Sequence, residues 1–153
     1  MSQVQSSGLP ISNFEKSVRL RACGILIEDG QILLVKHTGL GPAGFLWNPP
    51  GGGLQFGESV VQAVEREFLE ETGLVVKAGR FACFSEHIAD GLHAVELFFR
   101  VERLGGTLAL GTDPELAHTT QMMVDLRFWH RSEIESQPDF HFHKALNRFF
   151  ESE

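Results

Sequence analysis

Glu67, Glu70 and Glu71 stand at i, i+3 and i+4 within the run GGLQFGESVVQAVEREFLEETGL, residues 52–74. A helix advances about 100° per residue, so this spacing gathers three carboxylates on one side. Like charges held that close repel, at roughly 0.2–0.5 kcal/mol per pair on an exposed helix. Stability alone gives little reason for such a placement, whereas a hard divalent cation does. Mg²⁺ and Mn²⁺ prefer oxygen ligands, are held by a few carboxylates together with substrate phosphates, and keep waters that can become nucleophiles. The pattern points to metal-dependent phosphate chemistry.

The helix that must carry these acids is well marked. Ser59 suits the N-cap, Gln62 completes a capping box with it, and Gly73 lies where a left-handed C-terminal residue is expected. Val60, Val61, Val64 and Phe68 recur at helical spacing and supply a face to bury beside the acidic one. Ahead of the helix, Pro49-Pro50-Gly51-Gly52-Gly53 can bend tightly and bring backbone groups close to an anion or a metal.

Gly52, Glu58, Arg66, Glu67, Phe68, Glu70, Glu71, Gly73 and Leu74 together resemble the Nudix box, Gly-x5-Glu-x7-Arg-Glu-u-x-Glu-Glu-x-Gly-u with u apolar, and every specified position matches without a gap. A chance match would arise on the order of once in a billion starting positions at average residue usage, so the signal is far stronger than a lone glycine loop. The resemblance implies that Glu67, Glu70 and Glu71 bind catalytic Mg²⁺, with Mn²⁺ as the alternative ion, and that the Gly51 carbonyl is a further ligand. It also implies that Glu58 and Arg66 pair to hold the loop against the helix. The general base varies across the family; Glu67 and Glu70 are the candidates inside the box, and a residue on a later loop stays open. Gly52 and Gly53, with Arg21 and Lys36, are the candidate contacts to substrate phosphates.

Around the box, Val18 to Glu28 and Gln31 to His37 are β-rich runs joined at Asp29-Gly30, a favoured two-residue hairpin turn. A Gly/Pro-rich loop from Thr38 to Gly44 leads through Phe45, Leu46 and Trp47 to the glycines. Arg80 to Ile88 and His93 to Glu102 form a second hairpin pattern around Asp90-Gly91, residues 105–120 read as a long loop, Met122 to Trp129 as a strand, and His141 to Phe150 as a final amphipathic helix. The resemblance, rather than this order, implies the topology: an α/β fold, a Nudix-type α/β/α sandwich with a mixed β-sheet. Residues 1–16 read as a flexible arm and 17–153 as the domain.

At 153 residues the chain is one ordinary domain, and its net charge of −7 argues against a broad basic face that grips nucleic acid. Small phosphorylated ligands remain open, because a metal supplies positive charge locally. Cys23 and Cys83 read as reduced thiols in strands. The N-terminus has no basic start followed by an apolar run, and nowhere are eighteen residues apolar in succession. A cytoplasmic protein is expected, with a nucleotide as its partner, no nucleic acid, no membrane, and a homodimer left open.

Weaker candidates lie outside the box. Glu96 alternates with apolar Val95, Leu97 and Phe99, and either enters the cleft as a metal ligand or base, or is solvated. Glu115 falls near a further metal-binding acid of some family members. Arg19 joins Arg21 and Lys36 as a candidate to steer phosphates. His118, His130, His141 and His143 match no compact zinc spacing and read as ordinary histidines, and Ser136-Gln137-Pro138 as a turn. Family members that cut diadenosine polyphosphates typically carry a tyrosine after the box, and this chain has none; those acting on ADP-ribose often have a proline near Ala89 or Asp90, also absent. Both substrates lose weight.

The function expected is hydrolysis of a phosphoanhydride in a nucleoside diphosphate linked to another moiety, most simply a nucleoside triphosphate, by attack of metal-activated water on phosphorus. Phe45, Trp47 and Trp129 are candidates to stack on the base. The competing class is a Nudix-fold sensor or regulator that binds a nucleotide without cutting it.

Overall fold

The structure, a computed structural model, describes residues 16–89, 91–112 and 122–151. The arm up to residue 15, Asp90, Glu115 and His118 lie outside these residues. Two four-stranded sheets form the frame. The first is mixed: β1 (Val18–Ile25) lies parallel to β7 (Leu92–Gly106), and β5 (Gly51–Gly53) and β6 (Leu74–Ala89) close its two edges antiparallel. In the second, β3 (Gln31–Thr38) pairs antiparallel with β2 (Ile27–Glu28), β4 (Phe45–Asn48) and β8 (Met122–His130). The helices are α1 (Val60–Thr72), α2 (Arg131–Glu135) and α3 (Leu146–Glu151).

Successive strand residues point to opposite faces, and β1 uses both. Ala22 joins Ala63 and Val64 of α1 in one apolar cluster, while Cys23 and Ile25 join Phe98, Trp129 and Phe149 in another. Helix α1 thus covers one face of the mixed sheet and the α2–α3 region the other, an α/β/α sandwich in which the second half of β1, from Ala22 to Ile25, is buried on both sides. At the Asp29-Gly30 turn both residues have positive φ, 51° and 73°, the backbone of a tight hairpin.

Several elements differ from the sequence expectation. The run from Val18 to Glu28 is split at Leu26: β1 pairs in the mixed sheet, β2 in the other, and the Leu26 carbonyl accepts from Leu33 N–H at 3.0 Å. The glycines expected to bend form β5, because Gly51, Gly52 and Gly53 find backbone partners in Cys23, Ala22 and Arg21. Strand β6 starts directly after α1 rather than at Arg80. Only Leu146–Glu151 of the expected last helix is helical; Asp139–His141 is a 3-10 turn, and the N–H of His143 is bonded to the Trp47 carbonyl at 3.0 Å, tying that stretch to β4. Among the described residues no helix is long and apolar enough to cross a membrane.

Candidate active site

Helix α1 begins where its sequence says it should. The Ser59 side chain accepts from Gln62 N–H at 3.1 Å, and the Gln62 side chain accepts from Ser59 N–H at 2.9 Å. Gly73 ends it at φ 73°. The carbonyls that a helix leaves unmatched at its C-terminus are met by the chain beyond β7: Thr107, Ala109 and Gly111 N–H donate to Gly73, Thr72 and Glu71 at 3.2, 2.9 and 2.9 Å. The segment read as loop therefore clamps the acidic helix. Phe68 and Val64 are fully buried, and a Cβ on Gly24 would lie 2.7 Å from the Phe68 ring, so β1 and α1 meet closely there. Val61, expected on the buried face, is exposed.

Arg66 organises the acids on this helix. Its Nε and Nη2 donate to the two oxygens of Glu58 at 2.8 and 2.9 Å, its Nη1 to Glu67 at 2.9 Å and to Glu70 at 3.3 Å, and its Nη2 also to the Gly53 carbonyl at 3.2 Å. The Glu58 bond raises the Arg66 pKa further, and in return Arg66 holds the Glu58 carboxyl below the usual range. The three helix acids are not left to repel one another, since a guanidinium lies between two of them. Glu67 and Glu71 are completely buried, whereas the Glu70 side chain is one-third exposed. Glu71 accepts from Gly51 N–H at 3.1 Å. Gly52 faces Glu67 so closely that a Cβ there would stand 2.5 Å from its carboxyl carbon.

That glycine contact bears on the divalent ion. Among the described residues no three acidic, histidine or cysteine side chains form a ready-made metal cluster. The donors nonetheless fit one: they are all oxygen, and only a glycine at 52 leaves the Glu67 carboxylate room beside the backbone. Glu67, Glu70 and Glu71 would hold the ion, with Gly51 at the edge of the site.

Next to this site opens a cleft of about 770 Å³, lined among others by Arg19, Arg21, His37, Asn48, Glu96 and His143. Arg21 connects the two, donating through Nη1 to Glu96 at 2.9 Å and through Nη2 to the Gly51 carbonyl at 3.3 Å. Glu96 is buried in the cleft wall, so it is not a solvated strand residue, and both oxygens are engaged, one by Arg21 and the other by His143 Nε2 at 2.7 Å. Burial would raise its pKa, but the His143 bond and the Arg21 charge outweigh that and hold it at about 2. Burial, reinforced by the Arg21 charge, pushes the His37 imidazole down to about 4.

The structure brings Arg19 and Arg21 to the cleft but not Lys36. Adjacent strand residues face opposite ways: His37 lines the cleft, while the Lys36 ammonium lies 4.4 Å from the Phe45 ring centre. Trp47 and Trp129 are buried and meet edge to face at 5.0 Å, so they are core rather than base-stacking platforms. Phe140 and Phe142 reach the cleft instead. His143, read as ordinary, is a buried part of the site, and neither its spacing nor its neighbours in sequence signalled this; the bridge of Phe142 to Trp47 and the His143 N–H bond to the Trp47 carbonyl bring it there. Both cysteines are free thiols whose pKa values burial raises.

Residues 18–145 match the family model described as NUDIX domain. The chain is 35% identical over 96 residues to an ADP-ribose pyrophosphatase of Methanocaldococcus jannaschii, covering 61% of this chain and 56% of the relative, and 35% identical over 82 residues to Phosphatase NudJ of Escherichia coli, covering 53% and 52%. The chain spans about half the length of these curated relatives. Among solved structures it resembles a NUDIX hydrolase from Nitrosomonas europaea, with a TM-score of 0.71 at 22% identity over 88% of this chain and 87% of that one. It also resembles a MutT protein from Methanosarcina mazei, with a TM-score of 0.69 at 18% identity over 88% and 91%.

Proposed function

The chain belongs to the NUDIX domain family, and on that premise we propose that it is a divalent-metal-dependent hydrolase of a phosphoanhydride bond in a nucleoside diphosphate linked to another group, a nucleoside triphosphate being the simplest case. The observation that carries this is the set of Glu67, Glu70 and Glu71 on α1, backed by Gly52 and braced by the Glu58–Arg66 pair. Mg²⁺ or Mn²⁺, when bound, neutralises charge on phosphate oxygens and lowers the pKa of water.

The chain's own residues divide the remaining work. Glu67 and Glu71, buried and held by Arg66 and by Gly51 N–H, are the fixed carboxylates. Glu70, partly exposed and only loosely bonded to Arg66 at 3.3 Å, has the freedom to take a proton from an attacking water. Arg21 and Arg19 place positive charge in the cleft, where the phosphates of a bound nucleotide need it. The name of one relative, ADP-ribose pyrophosphatase, keeps a sugar-linked diphosphate among the substrates to be tried.

The test is phosphate or pyrophosphate release from a panel of nucleoside triphosphates, dinucleotides and nucleotide sugars, with and without Mg²⁺. Metal-dependent release from at least one member supports the proposal. Nucleotide binding without release from any member favours a sensor.

A further inference from the structure

His143 lies between the 3-10 turn and α3, where hydrogen bonds of its backbone and its ring fix it. Its backbone N–H donates to the Trp47 carbonyl at 3.0 Å, and its ring Nδ1 accepts the Ala145 N–H at 3.0 Å. A ring nitrogen that accepts a backbone N–H carries no proton of its own, so the proton of the neutral imidazole is on Nε2. That Nε2–H donates to Glu96 Oε1 at 2.7 Å. His143 and Glu96 are 7% and 6% exposed, so water replaces neither partner readily.

The consequence falls on Arg21. A guanidinium and a carboxylate left to themselves favour a two-pronged pairing. Here His143 bonds Oε1 of Glu96 and sets the tilt of that carboxylate, Arg21 bonds Oε2 through Nη1, and the Arg21 Nη2 is turned to the Gly51 carbonyl. Gly51 in turn donates its N–H to Glu71. A continuous chain of bonds therefore runs from the C-terminal segment through His143, Glu96 and Arg21 to Gly51 and Glu71.

We propose that His143 is a positioning residue for the divalent-metal site: by fixing the orientation of the Glu96 carboxylate it keeps Arg21 on one of its oxygens with the other Arg21 nitrogen on the Gly51 carbonyl, and so fixes Gly51 against Glu71. This rests on the assignment of Gly51 and Glu71 to the metal site, and it gives the segment after β8, distant in sequence from the box, a part in metal affinity. Removing His143 frees the Glu96 carboxylate to turn, Arg21 follows it, and the Gly51 carbonyl loses its donor.

The experiment measures Mn²⁺ dissociation constants of the full chain without nucleotide, in a double-mutant cycle. His143→Leu weakens Mn²⁺ binding by about tenfold, the lower end of what loss of a residue supporting metal ligands costs. His143→Gln, whose amide can still donate to Glu96, recovers most of the loss. In an Arg21→Met background, itself weaker, His143→Leu changes the constant by less than about twofold, because the two act through one path. Should His143→Leu fail to fold, Glu96→Gln asks the same question, since its amide puts an NH₂ donor where either Arg21 or His143 needs an acceptor, and it too weakens Mn²⁺ binding.

Parental affinity in His143→Leu, or in Glu96→Gln where that variant replaces it, overturns the proposal. So does an equal loss in both backgrounds, which marks a general structural effect. A parent that binds Mn²⁺ and shows this coupling but cleaves no nucleotide rejects the hydrolase and leaves the positioning role standing. A parent that does not bind Mn²⁺ overturns both.

Discussion

Arg66 holds Glu58 by two nitrogens at 2.8 and 2.9 Å while its remaining nitrogen reaches Glu67 at 2.9 Å. One guanidinium thus ties the loop after β5 to helix α1 and offsets the charge of the helix acids. A lysine keeps the charge but has a single donor centre instead of a fork. Arg66→Lys is expected to lose about 1–3 kcal/mol of stability and a larger share of turnover, read from denaturant melts and initial rates. Unchanged values in both would show that the brace is ornamental to the site.

Phe68 and Gly24 make a reciprocal pair. The ring is fully buried against a backbone position where a Cβ would lie 2.7 Å away. Phe68→Ala should cost about 3–5 kcal/mol through lost burial and a cavity, and Gly24→Ala about 1–3 kcal/mol through overpacking. Denaturant melts check both; a loss below about 1 kcal/mol for Phe68→Ala would mean that α1 does not dock on β1 by this face.

Acid should weaken the fold in two windows. His37 is lowered from 6.5 to about 4, so the folded state favours the neutral ring; its contribution is full above pH 6.5 and is lost as pH falls toward 4. Glu96 is lowered from 4.5 to about 2, so its contribution is full above pH 4.5 and is lost between 4.5 and 2. Melting temperature against pH should fall through both windows. His37→Gln should flatten the upper one and leave the lower in place, whereas an unchanged upper slope would contradict a buried neutral His37.

Chelation separates a metal requirement from a fold requirement. With an all-oxygen donor set, excess EDTA should abolish turnover, and added Mg²⁺ or Mn²⁺ should restore it. Circular dichroism in EDTA should still report a folded chain, because Phe68, Val64 and Ala63 dock α1 without the ion. Full activity in excess EDTA would remove the metal from the account.

Local signals in the sequence held where short-range physics decides the outcome. The Ser59–Gln62 capping box, the Gly73 terminus and the Asp29-Gly30 turn each depend on residues within a few positions of one another. Outside the box, Arg19, Arg21 and Glu96 stood only as open candidates and His143 as an ordinary histidine, because distant pairings decide what they meet. Arg21 meets Glu96 only because β1 runs parallel to β7, a pairing across 75 residues, and His143 arrives from 47 residues further on. Lys36 and His37 could not be told apart in role until the strand's two faces had neighbours. Repulsion among the helix acids is relieved from inside the box itself, since Arg66, expected only to brace Glu58, also lies between Glu67 and Glu70.

Glu70→Gln tests the central claim most directly, since it removes one carboxylate charge while keeping shape and helix propensity nearly constant. Glu70 is one-third exposed and its bonds to Arg66 are long, at 3.3 and 3.4 Å, so without metal the variant should melt within about 0.5 kcal/mol of the parent. Its kcat on the best substrate should nevertheless fall by at least about a hundredfold, and Mg²⁺ should raise its melting temperature less than the parent's. A variant that turns over normally while melting lower without metal would make Glu70 a structural partner of Arg66 and contradict the metal-dependent hydrolase.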